Sequence, residues 1–202
     1  MKKIFFGLLA FTTIAFTACG NNSNNANTEN KSVVPETAAV AKQEVAKQTV
    51  DTVPAKTAVS IKNIIAAYLQ LKNAFTKDNT NDAATAGKTL QAAFINFDTK
   101  TLSAQQQKIF ADIADDAKEH AEHIGANGGK IAHQREHFEM LSKDMADLIK
   151  TFGNGGQTLY KDFCPMYNKG KGGYWISETR EIKNPYFGKA MSTCGTMKEE
   201  MK

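Results

Sequence analysis

Apolar residues recur at a helical spacing in four consecutive stretches of the chain. Within each stretch they lie three or four positions apart, which is the period of one face of an α-helix. The spacing predicts helices over residues 60–78, 82–97, 104–124 and 130–152. Because the joins between these helices are short, we predict an all-α fold with an up-down four-helix bundle.

Residues at the predicted helix ends support these boundaries. Ser60 is a candidate N-cap for the first helix, and Ser103 with Gln106 has capping-box spacing at the start of the third. Gly153 opens a Gly-Asn-Gly-Gly sequence that is typical of a helix end. The face of the third helix predicted to be buried consists of Ile109, Ile113, Ala117, His120 and Ile124.

The remaining segment, residues 157–202, has a different pattern, because helical periodicity is lost and cysteine, methionine, glycine and proline accumulate. We predict an irregular C-terminal cap containing at most a short hairpin. Tyr174 to Ile176 is its candidate strand, and a fraying helix is predicted from Lys198. A segment with so little regular structure needs a disulfide, a metal ion or docking on the bundle to hold it in place.

The first residues predict the compartment. Lys2 and Lys3 precede a mostly apolar stretch, and the whole of residues 1–18 has the pattern of a secretory signal peptide. The segment that ends at Cys19 resembles a bacterial lipobox, which implies that this cysteine is acylated. We therefore expect a lipid-anchored extracytoplasmic protein attached to the membrane through its N-terminal lipid.

The sequence after the anchor divides into two parts. Residues 19–58 are rich in Asn, Thr and Ala, have little to bury, and are predicted to be a disordered tether. Residues 59–202 form the predicted helical domain with its Cys/Met-rich C-terminal segment. Because no acidic stretch follows Cys19, the anchor is expected to face the periplasm.

Composition and charge narrow the function. The chain has 202 residues, 42% of them hydrophobic, so it can bury one substantial core. A net charge of +4 without a Lys/Arg run predicts no nucleic-acid partner. The sequence contains no Walker loop, no GxGxxG and no HExxH, and nothing in it predicts an enzyme.

All four histidines lie close together in sequence. His120 and His123 are three residues apart, and His133 and His137 are four apart, so each pair can share one helical face. Imidazole suits zinc, copper and nickel. The alternative is that His133 and His137 are solvated surface residues, that His120 is hydrogen-bonded on the apolar face, and that His123 is exposed.

Two cysteines in the cap are each accompanied by a methionine, in Cys164-Pro165-Met166 and in the segment from Cys194 to Met197. Thiolate and thioether ligands select Cu(I), so the two pairs are a candidate soft-metal site. The same residues are equally compatible with a disulfide surrounded by methionines that fill space. A third interpretation, a nucleophilic Cys164 with His137 as its base, has no supporting signature.

A longer set of residues resembles an uncharacterised bacterial family. It runs from His133 to Phe138, through Cys164-Pro165-Met166 and Trp175-Ile176-Ser177, to Asn184–Gly188 and Cys194-Gly195. The resemblance covers about residues 60–200. Members of that family look like small extracytoplasmic helical domains and are often lipoproteins, and some are fused to periplasmic adaptors of heavy-metal efflux pumps. The resemblance implies such an adaptor or pump as a partner.

The cap is also similar to the short heavy-metal-binding domain of copper ATPases, in which a histidine follows Cys-Pro-Met. Tyr167 stands at that position here, so the resemblance implies that histidines of the fourth helix replace it. The expected function is binding of Cu(I) or a similar soft ion for resistance, buffering or delivery to efflux. The expected ligands are Cys164, Met166, Cys194, His133, His137, Met191 and Met197. The alternative is a non-metal interaction module whose cap is clamped by a Cys164–Cys194 disulfide.

Overall fold

The structure is a computed structural model that describes residues 55–202, with side chains from residue 61 onward. Its four long helices are α1 Ala55–Thr76, α2 Thr80–Ile95, α3 Ala104–Ala126 and α4 Ile131–Phe152. The predicted signal peptide, the acylated cysteine and the tether as far as residue 54 lie outside the described residues. Within the described part, no helix is both long enough and apolar enough to span a bilayer.

Each helix packs against the next one along the chain, and α1 also packs against α4. Two glycines allow α2 and α3 to approach closely. A Cβ added at Gly87 would lie 2.9 Å from the Ala121 carbonyl oxygen, and one at Gly125 would lie 2.9 Å from the Lys88 side chain. The prediction of four helices is confirmed.

Two of the three helix ends predicted from the sequence are confirmed. Ser103 and Gln106 form the predicted capping box, with the Ser103 hydroxyl accepting from Gln106 N–H at 3.3 Å. Gly153 ends α4 with a φ of 90°, a conformation that glycine adopts without strain. The N-cap prediction for Ser60 was wrong, because α1 already begins at Ala55 and so extends into the predicted tether range.

The buried face of α3 is displaced from the predicted face over its first turns. Its buried members are Phe110, Ala114, Ala117, Ala121, Ile124 and Gly125. Ile109 and Ile113 are only partly buried. The cause is packing: the Phe110 ring stacks on the Phe97 ring at 4.1 Å between centroids, and small alanines let α3 lie close to its neighbours.

The C-terminal region contains a three-stranded antiparallel sheet. Its strands are β1 Leu159–Cys164, β2 Gly173–Ser177 and β3 Thr196–Met201, in the order β2-β1-β3. The prediction of at most a short hairpin was therefore wrong, and so was the fraying helix from Lys198. The strand at Tyr174 to Ile176 is confirmed. The outer strand β3 is largely exposed and carries Lys198, Glu199 and Glu200.

A buried hydrogen-bond network joins the sheet to the helices. The Tyr68 hydroxyl of α1 accepts from Ile176 N–H of β2 at 3.1 Å and lies 2.8 Å from the Ser142 hydroxyl of α4. Next to it, the Phe138 ring packs against Tyr68 and Tyr186, with centroids 5.4 and 5.7 Å away. The sheet and the helices therefore share one hydrophobic core.

Candidate metal site

The four histidines meet where α3 ends and α4 begins. A short loop joins the two helices, and Gln134 closes the junction from within the core. Its fully buried side-chain amide donates to the carbonyl oxygens of Ile124 at 3.0 Å and Thr80 at 3.1 Å. This places the last turns of α3, with His120 and His123, beside the first turns of α4.

Three of these side chains lie close enough together to hold a metal ion. The three-histidine group consists of His123, His133 and His137, and one ring nitrogen from each lies within 4.8 Å of the others. The His123 and His137 rings stack at 4.3 Å between centroids, and the His133 ring meets His137 edge-on at 4.7 Å. His123 and His133 remain 45% and 41% exposed, so an ion can reach the group from solvent.

His120 and Asp144 lie behind the three-histidine group. The Nδ1 atoms of His120 and His137 are 3.3 Å apart, a hydrogen-bonding distance in which one ring donates and the other accepts. His120 Nε2 lies 3.9 Å from Asp144 Oδ2. Burial, together with Asp116 and Asp147, raises the pKa of Asp144 to about 7.

The surroundings of His137 keep its imidazole ring neutral. Burial, followed by the neighbouring charges of His123, His133 and His120, lowers the pKa of His137 to about 4. A neutral imidazole has a free nitrogen lone pair at neutral pH, which metal ligation requires. Two acids lie at the rim: a Glu119 oxygen is 3.8 Å from His123 Nε2, and a Glu136 oxygen is 3.6 Å from His133 Nδ1.

The two cysteines predicted as ligands also lie close together, in the C-terminal cap. Cys164 is the last residue of β1 and is fully buried, and its Sγ lies 2.7 Å from Cys194 Sγ. Asn184 holds the second cysteine by donating from its side-chain amide to the Cys194 carbonyl oxygen at 2.6 Å. Hydrogen bonding to Cys164 raises the pKa of the Cys194 thiol.

The three predicted methionine ligands differ in exposure. Met166 is 58% exposed and Met197 on β3 is 37% exposed. Met191 is partly buried at the end of the 3₁₀ turn Gly188–Met191. Methionine side chains with this much solvent contact are not held in a fixed geometry by the core.

Helix α4 separates the histidines from the cap. His137 contacts α3, whereas Arg135 and Phe138 contact cap residues: Arg135 donates to the Pro185 carbonyl oxygen at 2.7 Å, and Phe138 packs on Tyr186. The structure therefore brings His133 and His137 together with two histidines of α3, and brings Cys164 together with Cys194. Sequence reasoning paired the histidines within each helix and did not join the two pairs.

A buried polar cluster under the sheet was also missed. Lys72 of α1 is fully buried, and its ammonium lies 2.7 Å from a Glu178 carboxylate oxygen. Asp162 of β1 is fully buried as well, and burial raises its pKa to about 6 against the opposing effect of Lys72. Neither Asp162 oxygen has a hydrogen-bond partner within the described structure. We assign this cluster no ligand.

The chain is similar to one described family of proteins over part of its length. Residues 64–157 match the model of a family described as a protein of unknown function (DUF3347). No curated protein and no solved structure matches the chain. The matched segment contains all four histidines and ends before the cysteine pair. It supports the expected likeness to an uncharacterised family, but it names no metal, lipid anchor or efflux partner.

Proposed function

We propose that this protein binds a transition-metal ion, copper foremost, through the three-histidine group. The observation that carries the proposal is the convergence of three imidazole nitrogens within 4.8 Å on a solvent-accessible face. Among divalent first-row ions, nitrogen ligands bind Cu²⁺ most tightly. The ligand set is therefore centred on His123, His133 and His137 rather than on sulfur.

The biological setting of the proposal comes from the sequence. The lipobox resemblance at Cys19 supports an extracytoplasmic, lipid-anchored location. The likeness to domains fused to efflux adaptors supports buffering of the ion or its delivery to an efflux pump. In this proposal the four helices form the up-down bundle, which holds the site at the junction of α3 and α4.

The cysteine pair favours a different role for the cap. Two thiolates on one tetrahedral ion with metal–sulfur bonds of about 2.3 Å lie well over 3 Å apart, further than the 2.7 Å between Cys164 and Cys194. Both cysteines are free thiols in the structure, and the contact between their sulfur atoms supports a disulfide, formed on oxidation, that clamps the cap. This is the specific observation behind a second candidate function, an interaction module without metal.

The test is metal titration of the full-length chain in detergent, with Cu²⁺, Cu⁺, Zn²⁺ and Ni²⁺ each set against a competing chelator. We expect one ion per chain, bound tightly by the wild type and only weakly by a His133→Ala, His137→Ala variant. A Cys164→Ser, Cys194→Ser variant is the matched control and should bind like the wild type.

The two variants also separate the alternatives. Loss of Cu⁺ binding in the cysteine variant, with binding retained in the histidine variant, would overturn the histidine site and favour the sulfur ligands expected from the sequence. If neither the wild type nor either variant binds any of these ions tightly, the metal function fails and the interaction module remains.

A further inference from the structure

A fourth histidine lies between the three-histidine group and Asp144, a partly buried acid. His120 lies between them: its Nδ1 is 3.3 Å from His137 Nδ1, and its Nε2 is 3.9 Å from Asp144 Oδ2. Asp144 Oδ2 is buried and has no hydrogen-bond partner within the described structure. A buried carboxylate oxygen without a partner is costly, so its presence points to a role that the metal-free protein does not show.

We propose that His120 and Asp144 are positioning residues that orient His137 as a metal ligand, an inference that depends on the proposed metal function. With Nε2 of His137 as the ligand atom, its Nδ1–H donates to His120 Nδ1. His120 then carries its own proton on Nε2, directed at the Asp144 carboxylate. When His120 Nε2 closes the 3.9 Å gap to Asp144 Oδ2 in the metal-bound protein, one chain of donors and acceptors selects the tautomer of both rings.

The chemistry of metal sites explains why such a chain would matter. A ligating histidine generally donates its second ring N–H to a carboxylate, a carbonyl or a water, which fixes the ring orientation and makes the ligand nitrogen more basic. For His137 the acceptor is the imidazole of His120, and the carboxylate of Asp144 lies on the far side of His120. His123 and His133 lie nearer the surface, where Glu119 and Glu136 are the acids within 4 Å.

The geometry also separates this role from a structural one. Asp144 Oδ2 has no hydrogen-bond partner within the described structure, so replacing Asp144 with asparagine breaks no hydrogen bond of this oxygen and should not loosen the fold. Removing its desolvated charge should instead raise the melting temperature of the metal-free chain. A purely structural residue would lower both stability and metal affinity, whereas the proposed role moves them in opposite directions.

The experiment compares Asp144→Asn with Asp147→Asn in the full-length chain, titrated with Cu²⁺. Asp147 is an exposed acid of the same helix and lies close enough to influence the pKa of Asp144, so it controls for charge alone. We expect Asp144→Asn to weaken binding by about ten- to a hundredfold and Asp147→Asn to change it little. His120→Gln is the second variant and should lose a similar factor.

A spectroscopic measurement identifies the tautomer of His137 directly. In the zinc-loaded chain, ¹H–¹⁵N spectra of the imidazoles should show His137 protonated at Nδ1, and Asp144→Asn should shift that signal. Unchanged affinity in Asp144→Asn and His120→Gln, or a zinc-loaded His137 protonated at Nε2, would overturn this inference while the metal function stands. Absence of binding in the wild type would remove both.

Discussion

The histidine group and the cysteine pair are assembled in opposite ways. All four histidines lie on two helices joined by a short loop, so the fold of a single helical hairpin brings them together. The cysteines come together only when β1 pairs with a strand more than thirty residues away, as in the register Phe163 with Thr196. The first site depends on local structure and the second on long-range pairing, which costs more chain entropy to form.

The two regions also differ in what surrounds their polar groups. The histidines are partly open to water and contact one another. Under the sheet, Lys72 and Asp162 are fully buried. Exposed clusters can exchange ligands with solvent, whereas buried charged groups affect stability most strongly. We therefore expect substitutions near the histidines to change binding and substitutions near the sheet to change folding.

The largest effect is expected from Phe138→Ala, which removes the ring that joins the two regions. Phe138 is fully buried and packs against Tyr68, Phe75 and Tyr186. The cavity should lower the free energy of unfolding by about 4 kcal/mol, and the helices and sheet should still unfold together. Denaturation followed by helical circular dichroism and by Trp175 fluorescence checks this.

Phe138→Leu is the matched control and should cost about 1 kcal/mol. Separate transitions for the two signals in the wild type would show that the sheet and the helices are independent units, contrary to their shared core.

A somewhat smaller effect is expected when the cysteine pair is removed. If a disulfide joins Cys164 and Cys194, the Cys164→Ser, Cys194→Ser variant should lose about 3.5 kcal/mol of stability in the chain-entropy model. Reductant should lower the melting temperature of the wild type and leave that of the variant unchanged. Equal stability of wild type and variant without reductant would contradict the clamp.

The third prediction concerns pH and Asp162, whose pKa is raised from 3.8 to about 6 in the folded protein. Below about pH 4 the residue is protonated in both states and costs nothing. As pH rises toward 6, the unfolded chain loses this proton first, so folding becomes less favourable. Asp162→Asn should therefore stabilise the protein by about 2 to 3 kcal/mol at neutral pH.

That gain should disappear near pH 3.5, and urea titrations at several pH values measure it. Asp112→Asn, at an exposed position of α3, is the control and should show little change at either pH. A gain that is the same at both pH values would contradict the assignment of the effect to the Asp162 charge.

Sequence periodicity predicted the helices because their signal is local. Four helices, the Ser103 capping box and the Gly153 helix end all follow from residues close in the chain. The predicted buried face of α3 differs from the observed one because hydropathy favoured Ile109 and Ile113 over alanines. In the folded protein those alanines are buried because α2 and α3 approach closely at Gly87 and Gly125.

The sheet and the complete histidine group were harder to predict. Strand β3 is largely exposed and charged, without an alternating pattern, and its only partner is a distant strand. The grouping of His123 with His133 was accessible in principle. A short glycine-containing loop after one helix implies that the next helix folds back, so the histidines that flank the loop must be neighbours.

The exposed strand β3 bears on how copies of this protein meet one another. If the proposed lipid anchor tethers the protein to a membrane, its copies meet at high local concentration, and an exposed strand edge allows a second copy to extend the sheet. Lys198, Glu199 and Glu200 lie along that edge on β3. Alignment of two such edges in parallel register would bring like charges together, so these side chains oppose that mode of strand pairing.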